Sequence, residues 1–320
     1  MAERMRVLSI DGGGIRGIIP ALVLAEIERR TDRRVAQLFD FIAGTSTGGI
    51  IALAMTVPEP GGGSRWKAEE LAELYRTKGG EIFSTSLWQK IRSAGGLIDE
   101  KYPADGLEAE LERHFGEARL RDALKPVLVT AYELERRKPF FFRSGRAIGD
   151  STYDYPMRAA ARATSAAPTV FEPELVVNDA SGERYALIDG GVFANNPSMC
   201  AYAELLATDL AADVFMLSLG TGQLTRRIRY EDARDWGLAQ WARPALDVVF
   251  DGVSDTTEFE LEQLLGAERH VRLQTELDQG ASDDLDDASP DNIGRLEAKA
   301  KQLIADSSAE LDRVCAELTR

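Results

Sequence analysis

The chain has 320 residues, 44% of them apolar and 28% charged, the ordinary balance of a globular protein long enough to bury a large core. Its 38 Lys+Arg against 53 Asp+Glu leave a net charge of −15, which argues against a broad nucleic-acid footprint and against strong nonspecific attraction to anionic membranes. Two cysteines, Cys200 and Cys315, make a disulfide framework implausible, and two histidines, His114 and His270, weaken any multi-histidine metal site.

The first residues, Met1 to Met5, run directly into a strand-like Arg6-Val7-Leu8-Ser9-Ile10. They lack the apolar core of a signal peptide, and no run anywhere is long enough to span a bilayer. A cytoplasmic location is the expectation, and export without a signal would leave the same pattern. After the strand comes Asp11-Gly12-Gly13-Gly14-Ile15-Arg16-Gly17, then a predicted helix from Ile18 to about Arg30. Gly12, Gly14 and Gly17 fit the dinucleotide fingerprint, but that reading wants an acidic residue closing a second strand about 20 residues on. Asp32 falls instead in the polar break Thr31-Asp32-Arg33-Arg34. Three successive glycines suit an oxyanion hole better, because backbone N–H groups there come close to a ligand oxygen at a helix N-terminus. A tight strand–helix turn with no ligand is the plain alternative.

Phe39-Asp40-Phe41-Ile42-Ala43 then leads into Gly44-Thr45-Ser46-Thr47-Gly48-Gly49 and a helical run to about Thr56. This is the G-x-S-x-G nucleophile elbow in its strand–turn–helix context. A serine hydroxyl is a poor nucleophile and must stand exposed at a strand end where a base can reach it. Flanking Gly44 and Gly48 fit a strained turn whose neighbours must not block substrate.

Pro58-Glu59-Pro60-Gly61-Gly62-Gly63-Ser64 reads as a surface loop. Residues 66–78 and 103–115 read as helices, with an irregular stretch over 84–100 between them. His114 is expected as a cation at a helix C-terminus. Strands follow at 127–132 and 139–143, then an alanine-rich helix over 157–167. A hairpin is predicted from 175–177 and 185–188, and its second strand runs into Asp189-Gly190-Gly191. A helix from Ser198 to Leu206 and a strand from Val214 to Leu219 come next. Alternation of this kind predicts an α/β fold with a mostly parallel sheet and helices on both faces. The C-terminal third reads as mainly helical with one strand, Arg269–Leu273, an acidic solvated loop at 283–287, and a closing helix over 292–318 broken near 306–308. The stripe Trp236, Leu238, Trp241, Leu246, Val248, Val249 and Phe250, with Arg243 among them, is expected to pack inward. Contact with a lipid interface is the other reading of that stripe.

A nucleophilic serine needs a proton acceptor, and two arrangements are open. Ser46, Asp189 and His270 stand in the chain order of an α/β-hydrolase triad. Alternatively the Asp189 carboxylate takes the proton directly.

Asp11 to Gly17, Gly44 to Gly49, the segment Ala163-Thr164-Ser165-Ala166-Ala167-Pro168-Thr169-Val170-Phe171, and Asp189-Gly190-Gly191 resemble, in that order, the motifs of the patatin-like phospholipase family. Trp236-Gly237, Asp251-Gly252-Val253-Ser254-Asp255 and Asp286-Asp287-Ala288 are similar to bacterial and plant members. The likeness spans roughly residues 5–300, and four motifs in order are highly specific. It implies a three-layer patatin-like α/β fold as a single domain over 1–320, with a catalytic core at about 5–222 and a mainly helical part at about 223–320. It implies a Ser–Asp dyad of Ser46 and Asp189, an oxyanion hole at Gly12, Gly13 and Gly14, and a basic position at Arg16. Gly44, Gly48 and Gly190 are its supporting glycines, and His270 has no catalytic counterpart in it. The implied reaction is acyl-ester hydrolysis of a phospholipid or lysophospholipid, with peripheral membrane contact and without metal or organic cofactor. An acyltransferase would use the same residues. No nucleic-acid polymer is implied as partner. Some bacterial relatives are antiphage effectors switched on by a cyclic nucleotide, so a small-molecule activator stays open, as does the oligomeric state.

Overall fold

Continuous apolar runs, rather than alternating ones, mark strands covered on both faces. Three of them form the centre of the sheet: β1 (Met5–Ile10), β2 (Phe41–Thr45) and β3 (Val127–Glu133). The computed structural model describes residues 4–82, 105–168, 170–208, 213–225, 227–241, 244–277, 282 and 284–320. β1 and β2 pair in parallel with Ile10 beside Gly44, and β2 pairs in parallel with β3, Thr45 beside Thr130.

The other edge of β3 takes β4 (Lys138–Arg143), antiparallel along Leu128–Glu133. β5 (Glu174–Val177) and β6 (Arg184–Asp189) form the expected hairpin, and β6 pairs antiparallel with Ala131–Glu133 of β3. Because β4 already occupies one edge there, β6 lies on the edge that β2 uses lower down. β2 and β6 therefore point at each other, ending at Thr45 and Asp189 opposite the neighbouring residues Thr130 and Ala131. On the far side β7 (Val214–Leu219) pairs in parallel with β1; the two-residue β8 (Gln223–Leu224) follows it in the chain. β9 (His270–Leu273) pairs in parallel with β7, and β10 (Glu276–Leu277) with β8. The β8–β10 ladder is too short to carry a period and was not expected from the sequence.

Alternation along the strands divides the core into two. Leu8, Ile10, Ile42, Val129 and Leu217 face a layer built from α1 (Ile18–Thr31), α2 (Thr47–Thr56), α3 (Ala68–Ile82), α4 (Asp105–Phe115) and α5 (Met157–Thr164). Val7, Phe41, Ala43 and Met216 face the opposite layer, made by α6 (Ser198–Ala207) and α7 (Pro244–Leu265). α8 (Pro290–Asp306) and α9 (Ser308–Leu318) return to the first face, packing on α1. The break between them falls at Ser307, as expected, and Ser289 caps α8 through its side chain with Pro290 in the first turn. The expected irregular stretch over 84–100 lies outside the described residues.

Two expectations change. α5 stops at Thr164 rather than running to Ala167. Pro168 disfavours helical backbone before it, and the Thr164 hydroxyl is drawn off to the carbonyl of Thr130 at 2.6 Å. Among the described side chains, none of the stripe from Trp236 to Phe250 is buried in the core. Trp241 is 38% exposed, Val248 50% and Val249 41%. The buried face of α7 is instead Ser254, Thr257, Leu261 and Leu265. Trp241 rests edge-on against Trp236 with ring centroids 5.1 Å apart, and Arg243 lies outside the described residues. Trp241→Ala should accordingly cost only about 1 kcal/mol, the scale of one exposed aromatic pair. Denaturant unfolding checks this, and a loss of about 3–5 kcal/mol would restore the inward-packed reading.

Candidate active site

Ser46 follows β2 and caps α2 with φ 54° and ψ −125°, a conformation that L-residues rarely adopt. The turn closes because its neighbours have no side chains. A Cβ on Gly44 would stand 2.2 Å from the Gly48 carbonyl oxygen, and one on Gly48 would stand 2.2 Å from that of Ile10. Backbone cannot move aside as a flexible side chain can. The Ser46 N–H donates to Thr164 Oγ1 at 2.8 Å, which ties the strained residue to β3 through the Thr164–Thr130 bond.

Asp189, at the end of β6, is 3% exposed. Its Oδ1 accepts the Gly191 N–H at 2.8 Å. Burial pushes the carboxyl up to about 6, against the opposing pull of the Ser46 hydroxyl and the Gly191 N–H. Gly190 lets the strand end lie flat on β3, since a Cβ there would be 2.1 Å from Thr130 Oγ1.

The glycine loop leaves β1 beside the elbow. Gly12 donates its N–H to the Asn195 carbonyl at 3.0 Å, and Ile15 donates to the Leu285 carbonyl at 2.9 Å. Among the described residues, the N–H groups of Gly13 and Gly14 have no such partner. Of the three expected donors, the Gly12 N–H is thus already taken by backbone. Thr221 Oγ1 donates to the Gly12 carbonyl at 2.6 Å, and the buried Arg16 guanidinium reaches the Gly13 and Gly222 carbonyls at 3.4 and 3.3 Å. Ser46, Asp189, Gly12, Gly13, Gly14 and Arg16 line one cleft, whose apolar wall includes Val170, Phe171, Phe250 and Leu285.

Behind the loop, Asp11 and Arg272 form a buried pair, Nη1 to Oδ1 2.9 Å and Nη2 to Oδ2 2.5 Å. The same Nη1 donates to Ser218 Oγ at 2.8 Å. Glu258 lies 3.7 Å from Arg272 Nε, and burial pushes its carboxyl up to about 7. His270 sits on this side with Nδ1 3.6 Å from Glu258 Oε1. Burial, with Arg272 nearby, pushes its imidazole down to about 4, which leaves it neutral at pH 7. Its register places it level with Phe41, through Met216 and Val7. Three strand spacings across and five residues along separate it from Ser46, roughly 20 Å. The serine–aspartate–histidine triad does not assemble. His114 is not a helix-terminal cation either. It is packed edge-on against Trp66, its Nε2 is 3.0 Å from Glu110 Oε2, and burial lowers its pKa.

Sequence reasoning missed Asn195, Thr221, Thr164, Arg272 and Leu285 as parts of the site. Thr164 and Asn195 stand inside or beside the motif stretches, so their neighbourhood was a signal. Arg272 had none. Leu285 belongs to the stretch expected as a solvated acidic loop, yet residues 284–288 are half-buried and Leu285 covers the glycine loop. Asp283 lies outside the described residues.

The family model for patatin-like phospholipase matches residues 8–202. The chain is 32% identical to patatin-like protein 6 of Arabidopsis thaliana over 95% of its own length and 66% of the relative's. It is 30% identical to the probable inactive patatin-3-Kuras 1 of Solanum tuberosum, over 97% of this chain and 89% of that one. Among solved structures, the type III effector ExoU aligns with a TM-score of 0.42 at 14% identity, covering 98% of this chain and 53% of that one. VipD from Legionella pneumophila aligns at 0.36 and 12% identity, covering 95% and 67%.

Arg272→Met leaves the Asp11 carboxylate buried without its partner and should cost about 3–5 kcal/mol of stability. Adding Asp11→Asn should recover part of it, because the uncompensated charge is gone. Urea unfolding of the three proteins measures this, and a loss below about 1 kcal/mol in the single variant would contradict a buried, mutually dependent pair.

Proposed function

The chain belongs to the patatin-like phospholipase family, and from that premise we propose that it is a lipid acyl hydrolase working through a Ser46–Asp189 dyad. The observation that supports this reading is the meeting of Ser46 and the buried Asp189 carboxylate in one cleft, beside the Gly13 and Gly14 N–H groups that have no partner among the described residues. The substrate class is a phospholipid or lysophospholipid.

Asp189 accepts the proton as Ser46 Oγ attacks the ester carbonyl carbon. The N–H groups of Gly13 and Gly14 receive the oxyanion, a contribution of about 2.7–4 kcal/mol per donor in comparable sites. Collapse of the tetrahedral species breaks the ester C–O bond, and the alcohol leaves with the proton from Asp189. Water then attacks the acyl-enzyme, giving its proton to Asp189, and the fatty acid leaves as Ser46 is reprotonated. A carboxylate is a weak base in water. Here burial raises its affinity for a proton, and its place beside Ser46 in the cleft supplies the alignment.

Lipid would be met peripherally in this reading. No helix among the described residues is long and apolar enough to cross a membrane. Exposed Val248 and Val249 immediately precede Phe250, which lines the cleft.

Ser46→Ala should abolish release of free fatty acid from phospholipid vesicles while leaving the melting temperature unchanged within a few degrees. Asp189→Asn should lower kcat by at least about 10²-fold, since it keeps the shape and removes the base. Normal turnover by either folded variant rejects the dyad, and acyl transfer to an added alcohol in place of water would make the enzyme a transferase. The base must be ionised to act. On a soluble ester, kcat/KM should therefore fall about ten-fold per pH unit below about 6 and level off above it, tracking Asp189. A profile flat from pH 5 to 8 counts against Asp189 as the base.

A further inference from the structure

The glycine loop is held from behind by the end of β9, along two separate routes. The first is direct. Arg272 holds the Asp11 carboxylate with both terminal nitrogens, and the Nη1 that reaches Oδ1 also donates to Ser218 Oγ. A guanidinium fork on both carboxylate oxygens fixes the plane of the carboxylate as well as its place. Asp11 donates its own N–H to the Leu219 carbonyl at 3.0 Å, and Gly12 follows it in the chain.

The second route passes through the turn after β7. Gln274, which follows β9, accepts the N–H groups of Gly222 at 2.8 Å and Thr275 at 3.1 Å on its Oε1. Gly220 makes room for that amide, since a Cβ there would stand 2.4 Å from it. The Gly222 carbonyl accepts Arg16 Nη1, and the Nε of the same guanidinium reaches the Gly13 carbonyl. Thr221, in the same turn, donates to the Gly12 carbonyl. The two carbonyls matter because of what shares their peptide planes. The Gly12 carbonyl lies in one rigid plane with the Gly13 N–H, and the Gly13 carbonyl with the Gly14 N–H. In a trans peptide the two groups point opposite ways, so holding the carbonyls aims both N–H groups away from Thr221 and Arg16.

We propose that Arg272 and Gln274 are positioning residues for the reaction. Both stand outside the cleft lining. Arg272 acts through Asp11, and Gln274 through Gly222 and Arg16, to set where the Gly13 and Gly14 N–H groups stand relative to Ser46. The inference rests on the hydrolase reading above and adds what holds its oxyanion donors in place. Such a donor helps only at hydrogen-bond distance from the forming oxyanion. A misplacement of about 1 Å can cost about 10²-fold in rate.

The test uses soluble p-nitrophenyl butyrate and an alkyl trifluoromethyl ketone, whose carbonyl carbon adds a serine oxygen and leaves an oxyanion. Arg272→Lys keeps a positive charge beside Asp11 and removes the fork. Gln274→Met keeps the length and removes the acceptor. Each should lower kcat at least about ten-fold with KM within about two-fold of wild type. The inhibition constant of the ketone should rise by a similar factor, because the ketone also places an oxyanion at the loop. A smaller folded fraction would lower kcat and leave that constant unchanged, so the two causes separate. The pH midpoint of kcat/KM should stay at its wild-type value, since Asp189 is untouched. A kcat and an inhibition constant within about two-fold of wild type in both folded variants overturn the proposal, as does a fall in kcat without weaker ketone binding. Gln274→Met carries the test if Arg272→Lys does not fold. A wild type that neither cleaves the ester nor binds the ketone ends the hydrolase reading and the positioning role with it. A normal wild type with indifferent variants rejects the positioning role alone.

Discussion

The site depends on backbone pressed against backbone at the ends of two parallel neighbours. β1 and β2 run side by side, and the first turn of α2 comes back over the end of β1 with no room for a Cβ between Gly48 and the Ile10 carbonyl. That contact sets the level of the elbow relative to the glycine loop. A Cβ on Gly12 would meet the Ser46 Cβ at 3.2 Å, which shows how close the two turns lie. Parallel strands emerge from a sheet at the same edge, so the loops that follow them gather there. Here the gathered loops are the one with Gly13 and Gly14, whose N–H groups have no partner among the described residues, and the one with the serine.

The aspartate arrives differently. β6 is antiparallel to β3 and meets β2 head-on along the same edge, so its last residue reaches the serine from the opposite direction. The arrangement buries the carboxylate, where its proton affinity rises, while the Gly191 N–H keeps it oriented. His270 on β9 points to another end of the sheet and serves the buried polar cluster of Glu258, Arg272 and Asp11.

The C-terminal third completes the cleft. Leu285 caps the glycine loop through its carbonyl, Phe250 adds an apolar wall, Ser254 holds the Asn195 side chain at 3.1 Å, and Arg272 neutralises the aspartate that begins the loop. Asn292, the first-turn residue of α8, fixes the covering loop by accepting the Ser282 N–H at 2.8 Å and donating to the Asp287 carbonyl at 2.7 Å. Trp241, Val248 and Val249, by contrast, stay at the surface.

By itself the sequence determined what local rules can carry: buried strands as continuous apolar runs, the elbow as glycines around a serine, the closing helix with its break, and the fold class. Those features depend on residues close together in the chain. It also made Ser46 and Asp189 the candidates, through motifs, without saying how they meet. Tertiary structure decided the rest. Whether Asp189 faces the serine turns on which edge of β3 receives β6, a pairing across residues far apart in sequence. That Gly12 is engaged depends on Asn195, that the acidic loop is a cover depends on Ile15, and that Val248 and Val249 are exposed depends on which face of α7 finds the sheet. Each is a contact between distant segments, and composition and periodicity record only that a residue is apolar or polar, not what it will meet.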